Sequence, residues 1–337
     1  MDDAGCAAST GQLDQLVSPS GDESAKVYPC FEHPTLTDLL DQNQPRITWR
    51  YYGDLGNSIW TAPNAINHIC NNSMQNGGGS CGSGSGSNHD WNNNVGPYIE
   101  TTNNLAPFLN DLQHCNLAKV TWVVPDGRWS DHPSENIGLG PDYVANIVNA
   151  VGGTGPPTNT CGFWSNTVIL IVWDDWGGWY DHVSPNGKMG PGIGYSNNTG
   201  GQYVYGFRVP LLVVSTFAKQ HYISSPIGSA LIDYDFGSIL RFIEEAFLPS
   251  NTFINPVYPY ADQFAGVGQQ VSDLSDFFDC FGPQCHPFQP ITLVNNSQLC
   301  SSSTCPSTEC YSGGPPCQCD AACFVHYIGQ HKDPDTY

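Results

Sequence analysis

The sequence predicts an α/β layered fold on three observations. Short apolar runs of strand character alternate with segments of helical periodicity. One run, Thr167 to Trp173 (Thr-Val-Ile-Leu-Ile-Val-Trp), is apolar on both faces, the pattern of a central parallel strand covered on both sides. That run and an earlier one both end in Asp-rich turns, and in open α/β sheets ligands sit beyond the carboxyl ends of the strands.

Taken in order, residues 1–34 are turn-rich and end in Tyr28-Pro29-Cys30-Phe31-Glu32-His33-Pro34. Thr35 then caps a short helix carrying Leu39 and Leu40. Ile47 to Tyr52 reads as a strand stopped by Gly53. Residues 71–97 are rich in Asn, Gly and Ser and predict a mobile surface loop, followed by a helical stretch from about Tyr98 to His114. Val120 to Val124 is a buried-strand pattern ending at Pro125-Asp126-Gly127. Pro141 opens a helix with Val144, Ile147, Val148 and Val151 on one face. After the Thr167–Trp173 strand, Val209 to Val214 forms a second buried strand, and Asp235 caps a helix carrying Ile239, Leu240, Ile243 and Phe247. Two regions follow: a globular domain over residues 1–280 and a Cys-rich, disulfide-stapled tail over residues 281–337.

Composition narrows the partners. Ten Lys and Arg stand against 31 Asp and Glu, a formal charge of −21, and such a field repels nucleic acid and anionic membranes. It leaves room for a zwitterionic lipid or a small phosphate ester drawn in by a metal. No stretch of about 20 apolar residues occurs, so no membrane-spanning helix is expected. Fourteen cysteines, eight of them between Cys280 and Cys323, point to disulfides and an oxidising, extracytoplasmic compartment, with a zinc knuckle in the tail as the alternative. The start, Met1-Asp2-Asp3, is acidic with no apolar run after it, and a disulfide-rich chain without an export signal leads us to expect further sequence upstream. Asn71, Asn197 and Asn295 head Asn-x-Ser/Thr sites, usable only in a eukaryotic secretory route.

The chemistry concentrates at two strand ends. The strongest strand runs into Trp173-Asp174-Asp175-Trp176-Gly177-Gly178-Trp179-Tyr180-Asp181-His182. Adjacent carboxylates repel unless a cation neutralises them, and oxygen donors suit a hard divalent ion, so Asp174 and Asp175 are candidate metal ligands, against the alternative of a solvated turn. The earlier strand ends in Pro125-Asp126-Gly127-Arg128-Trp129-Ser130-Asp131-His132-Pro133. If the strands are neighbours, His132 and His182 face one cleft, where imidazoles could donate to phosphoryl oxygens and protonate a leaving group; the alternative is structural hydrogen bonding. Trp173, Trp176, Trp179 and Tyr180 crowd the same rim and could hold a choline head group by cation–π contact, or simply pack.

These motifs, together with Tyr205-Gly206-Phe207-Arg208-Val209-Pro210-Leu211 and Asp235 through Glu245, occur in an order and spacing that resemble the phosphoesterase family of bacterial non-specific phospholipases C and acid phosphatases. Tyr28 to Leu36 and Ser58 to Ile66 are similar too, so the resemblance covers roughly residues 6–280. It implies a three-layer alkaline-phosphatase-like fold with a mostly parallel central sheet, and one divalent metal at Asp174 and Asp175. It also implies hydrolysis of phosphate mono- or diesters through a covalent phospho-enzyme. The remaining family ligands, a Glu-Asn pair and a Ser or Thr nucleophile, have no counterpart here: Glu135-Asn136, the sole Glu-Asn pair, follows the Asp-His turn instead of a first strand. The expectation is therefore an N-terminally incomplete family domain, inactive by itself. Phe236 and Ser225 stand where many relatives carry His, which favours one metal over two. A sulfatase or phosphonate hydrolase of the same superfamily, or a secreted binding protein without catalysis, are the alternatives.

Overall fold

The computed structural model describes residues 4–16, 24–74, 77–86, 90–99, 105–132, 140–154, 160–177, 181, 206–224, 234–254, 272–280, 282 and 285–293. In chain order the elements are β1 (Asp14–Leu16), β2 (Ala25–Val27), α1 (Leu36–Gln42), β3 (Trp49–Tyr52), α2 (Asn67–Cys70), α3 (Ala106–Gln113), β4 (Val120–Val123), α4 (Gly140–Val151), β5 (Val168–Val172), β6 (Leu211–Ser215) and α5 (Phe236–Phe247). Helices and small sheets alternate, as an α/β chain requires. Two compact units emerge, one built on Met1–Gly11, Arg50–Thr167 and Pro287–Tyr337, the other on Gln12–Trp49 and Val168–His286.

The first unit is organised around a buried carboxylate. Asp111 lies on the inner face of α3 with Phe108 and Leu112. Its Oδ2 accepts from Arg50 Nη1 at 2.6 Å and from Tyr52 OH at 2.6 Å, and its Oδ1 accepts from Asn116 Nδ2 at 3.1 Å. Arg50 and Tyr52 come from β3, which pairs with β4 and continues through Val124 N–H donating to Tyr52 O at 2.9 Å. Tyr52 meets Tyr98 and Phe108 edge-on at 5.1 and 5.5 Å, and the Arg50 guanidinium lies 4.8 Å from the Tyr98 ring centre. An ion pair this deep persists because hydrogen bonds satisfy both partners. On α4, Tyr143, Ala145, Val148 and Val151 are buried, while Val144 and Ile147 are only half-buried. Asn149 of α4 exchanges two hydrogen bonds with the backbone of Ile291, each 2.8 Å, and Phe288 packs edge-on against Trp164 at 4.8 Å.

The surface loop expected over residues 71–97 carries a cross-link and internal hydrogen bonds at its start. A Cys70–Cys81 disulfide closes it, and Asn72 is buried at its centre. Asn72 Nδ2 donates to Cys6 O and Gly78 O, while its Oδ1 accepts from Met74 N–H and Ser83 Oγ. Further on, Trp91, Asn94 and Val95 are buried on a single helical turn. Two of its asparagines, Asn72 and Asn94, are buried, and Asn72 is satisfied by hydrogen bonds inside the loop, while the described serines around them stay exposed.

In the second unit, α1 is capped as the sequence predicts: Thr35 N–H and Oγ1 both donate to Asp38 Oδ2, at 2.7 and 3.0 Å. Helix α5 starts where expected, with Gly237 N–H donating to Asp235 Oδ1 at 2.8 Å and Asp235 N–H to Ser238 Oγ at 3.3 Å. Its innermost face is not the aliphatic one: Gly237, Ser238, Arg241 and Glu244 are buried, whereas Ile239, Leu240 and Ile243 are half-buried. Small residues at the helix start allow close approach, and Arg241 follows them inward, paired with Glu245 and lying over the Phe253 ring at 4.7 Å. β1 and β2 form an antiparallel pair that the turn-rich composition of residues 1–34 concealed.

β5 and β6 pair with Val168 opposite Ser215 and Val172 opposite Leu211. This pair is antiparallel, which corrects the parallel neighbours expected for Thr167–Trp173. An unbroken apolar run signals covered faces and carries no information on strand direction, and a long connection permits either. Covering is also less complete than expected, since Val172 is 37% exposed and Leu212 49%. Each described sheet has two strands. Besides Cys70–Cys81, disulfides join Cys115 to Cys161 and Cys280 to Cys285; the tail cysteines from Cys300 to Cys323 lie outside the described residues.

Two measurements check this packing. Asp111→Ala strands Arg50 and Tyr52 without their shared acceptor and should lower unfolding stability by about 3 kcal/mol in urea titration. Burial raises the Tyr51, Tyr52 and Tyr143 hydroxyls above the ordinary value of 10.0, with the Asp111 hydrogen bond adding to the effect at Tyr52 and the Asp126 charge at Tyr143. A raised phenol contributes stability that is full below its unfolded value and lost as pH rises past it. Tyrosinate absorbance from these three residues should therefore appear only together with alkaline unfolding.

Candidate active site

The sequence-predicted carboxylates are the second and third residues after β5, following Trp173. Asp174 and Asp175 are both exposed and adjacent at the carboxyl end of the strand. Gly177 N–H turns back to donate to Asp175 Oδ1, and Gly177 does so at φ +61°, the left-handed region in which a side chain is disfavoured. That bond orients one Asp175 oxygen and leaves the other available. Trp176, 41% exposed, meets the Phe207 ring edge-on at 5.2 Å. Because Val172 is opposite Leu211, the turn after β5 and the segment entering β6 share one end of the pair. There Arg208 grips Asp181: Nε donates to Oδ2 at 2.7 Å, Nη2 to Oδ1 at 3.0 Å, and the backbone N–H to Oδ2 at 3.4 Å. Hydrogen bonding to Asp181 raises the Arg208 pKa, with slight burial opposing it.

The turn after β4 is built differently. Asp126 is buried, and Trp129 N–H donates to its carbonyl at 3.0 Å, closing a single 3-10 turn over Gly127–Trp129. Ser130 Oγ donates to Gly127 O at 2.6 Å and accepts from His132 N–H at 3.1 Å, so the hydroxyl fixes the backbone that presents His132. The His132 ring meets Trp60 edge-on at 6.3 Å, and Trp129 stacks on Tyr143 at 6.2 Å. Asp131 takes φ +60° and accepts from Gly140 N–H, the first residue of α4, at 3.2 Å. Burial raises its pKa, and the Gly140 hydrogen bond partly offsets that. A carboxylate at a helix N-terminus is favourably placed against the helix dipole.

Of the four residues singled out from sequence, Asp174 and Asp175 are consecutive and both exposed, in the second unit. His132 lies in the first unit, and His182 lies outside the described residues. Sequence reading missed two features. The Arg208–Asp181 clamp joins residues 27 apart in sequence, and neither stands out locally. The Asp131–Gly140 contact had no local signal, since it joins residues across an intervening segment. As for a metal, the described residues hold no cluster of three or more His, Cys, Asp or Glu side chains. A hard divalent ion takes about six oxygen donors. The open Asp pair fits as two of them.

The Asp131 contact sets a test. A methyl group on Gly140 would fall on the Asp131 carboxylate. Gly140→Ala should cost about 1–3 kcal/mol in thermal or urea unfolding. Adding Asp131→Gly, which removes the carboxylate and suits the left-handed backbone, should recover most of the loss.

Comparison with known proteins supplies context for this geometry. The model of the phosphoesterase family matches residues 4–248. Over 226 residues the chain is 26% identical to a non-hemolytic phospholipase C of Burkholderia pseudomallei, covering 60% of this chain and 31% of that protein. It is 29% identical over 147 residues to a hemolytic phospholipase C of Pseudomonas aeruginosa, covering 41% of this chain and 18% of that one. A non-specific phospholipase C6 of Arabidopsis thaliana is 28% identical over 149 residues, covering 41% and 26%. The matches thus span less than a third of each of these relatives' length. A family match that embraces both strand-end turns and runs through α5 leads to one conclusion: the chain belongs to the phosphoesterase family.

Proposed function

We propose that this chain carries the metal-binding part of a hydrolase of phosphate mono- or diesters, of phospholipase C or acid phosphatase type. The observation that carries the reading is the open Asp174–Asp175 pair at the end of β5 in a chain of this family. Asp174 and Asp175 would hold a divalent ion, which when bound polarises phosphoryl oxygens and neutralises charge developing on them. Asp175 enters with one oxygen already oriented by Gly177. His132, its backbone fixed through Ser130, is assigned to donate to the phosphoryl group or to the leaving oxygen, and His182 to share that task. The covalent phospho-enzyme step belongs to a nucleophile that these four residues do not provide. The substrate is a small phosphate ester or a phospholipid head group, with exposed Trp176 at the rim available to an apolar or cationic portion of it.

Two further properties accompany the reading. The disulfides support an extracytoplasmic location, because such bonds persist in oxidising compartments. Among the described residues no helix is long and apolar enough to cross a membrane.

The test is substitution in the full-length protein, assayed with a paired chromogenic phosphate and sulfate ester. Asp174→Ala and Asp175→Ala should each reduce metal-dependent phosphate-ester turnover by about 100-fold or more while leaving circular dichroism unchanged. Full activity in Asp175→Ala would overturn the metal assignment, and preference for the sulfate ester would move the protein to the sulfatases.

A further inference from the structure

Three carboxylates follow β5 within ten residues of sequence, and they have different surroundings. Asp174 and Asp175 are exposed, whereas the Asp181 side chain is only 14% exposed and accepts three hydrogen bonds from Arg208. Asp181 is therefore committed and two carboxylates are left open. The Arg208 side chain is itself 61% exposed, and an ion pair so open to water contributes little to folding. A forked guanidinium holding both oxygens of one carboxylate does fix direction, which a point charge cannot do.

The segment that supplies Arg208 also supplies Phe207, whose ring holds Trp176 next to Asp175. One short stretch ahead of β6 therefore holds the chain after β5 at two points, Trp176 and Asp181. Antiparallel pairing makes this possible, because it brings the entry of β6 to the end of β5 where the carboxylates emerge. Without that grip, mutual repulsion between Asp174 and Asp175 would spread the turn.

We infer that Arg208 is a positioning residue for the Asp174–Asp175 pair, acting through Asp181 to hold the two carboxylates convergent on a divalent cation. This rests on the metal reading of the Asp pair, and the two can fail separately. Simple electrostatics makes the opposite prediction: removing a positive charge from the rim of a cation site should tighten cation binding. Loss of positioning should weaken it.

The experiment is titration calorimetry of manganese(II) into the full chain, with thermal unfolding followed in parallel. Arg208→Met should weaken manganese binding about tenfold, with Tm within about 4 °C of the unaltered chain. Arg208→Lys retains the charge without the fork, guards against a folding defect in the first variant, and should show a similar loss. Adding Asp181→Asn to Arg208→Met should produce no further change, since the two act as one unit. Unchanged or tighter binding in both Arg208 variants, with binding abolished by Asp175→Asn, would overturn the inference and leave the metal reading standing. Binding that survives Asp175→Asn would overturn the metal reading and the inference with it.

Discussion

With ten Lys and Arg facing 31 Asp and Glu, the chain must neutralise or satisfy carboxylates with very few cations, and its architecture follows from how it does so. Arginines are spent singly: Arg46 on Asp41, Arg50 on Asp111, Arg208 on Asp181 and Arg241 on Glu245. Elsewhere neutral donors take over. Asp276 Oδ2 accepts from the hydroxyls of Tyr222, Ser224 and Tyr234, at 3.0, 2.9 and 2.7 Å, which ties two other segments of the second unit to one oxygen. Backbone amides serve Asp131, Asp175 and Asp235. Each of these solutions fixes a segment of backbone as it satisfies a charge, because hydrogen bonds to an ionised group are strong and directional. Asp174 stands out against this background: among the described residues no cation or amide holds its carboxylate, and it adjoins a second carboxylate, Asp175, held through one oxygen by Gly177.

Much of the local structure was legible in the sequence. Thr35 and Asp235 announced the starts of α1 and α5 because capping is a short-range interaction between residues a turn apart. β4, β5 and β6 fell within a residue or two of the apolar runs that predicted them. The Asp pair was legible for the same reason, being adjacent in sequence at the end of the strongest strand. What escaped was long-range. Strand direction at β5 and β6 depends on the route between them, which apolar patterning does not encode. The burial of Arg241 and Glu244 on α5 had no local signal, since the apolar positions of that helix, Ile239, Leu240 and Ile243, are the conspicuous ones in sequence. The Arg208–Asp181 clamp joins residues far apart in sequence, so each half looked ordinary alone.

The loop closed by Cys70–Cys81 inverts a common association between composition and evolutionary freedom. A stretch rich in glycine and serine is usually where sequences drift and insertions accumulate. Here a methyl group on Gly77 would collide with the backbone of Thr10, and one on Gly79 with the Asn72 side chain. The absence of side chains at these positions records how closely neighbouring backbone runs, with Asn72 buried between. Divergence within this loop should therefore be slower at its glycines than on many helical surfaces of the same protein, and a sequence comparison that discounted the loop as low-complexity filler would discard some of its most constrained positions.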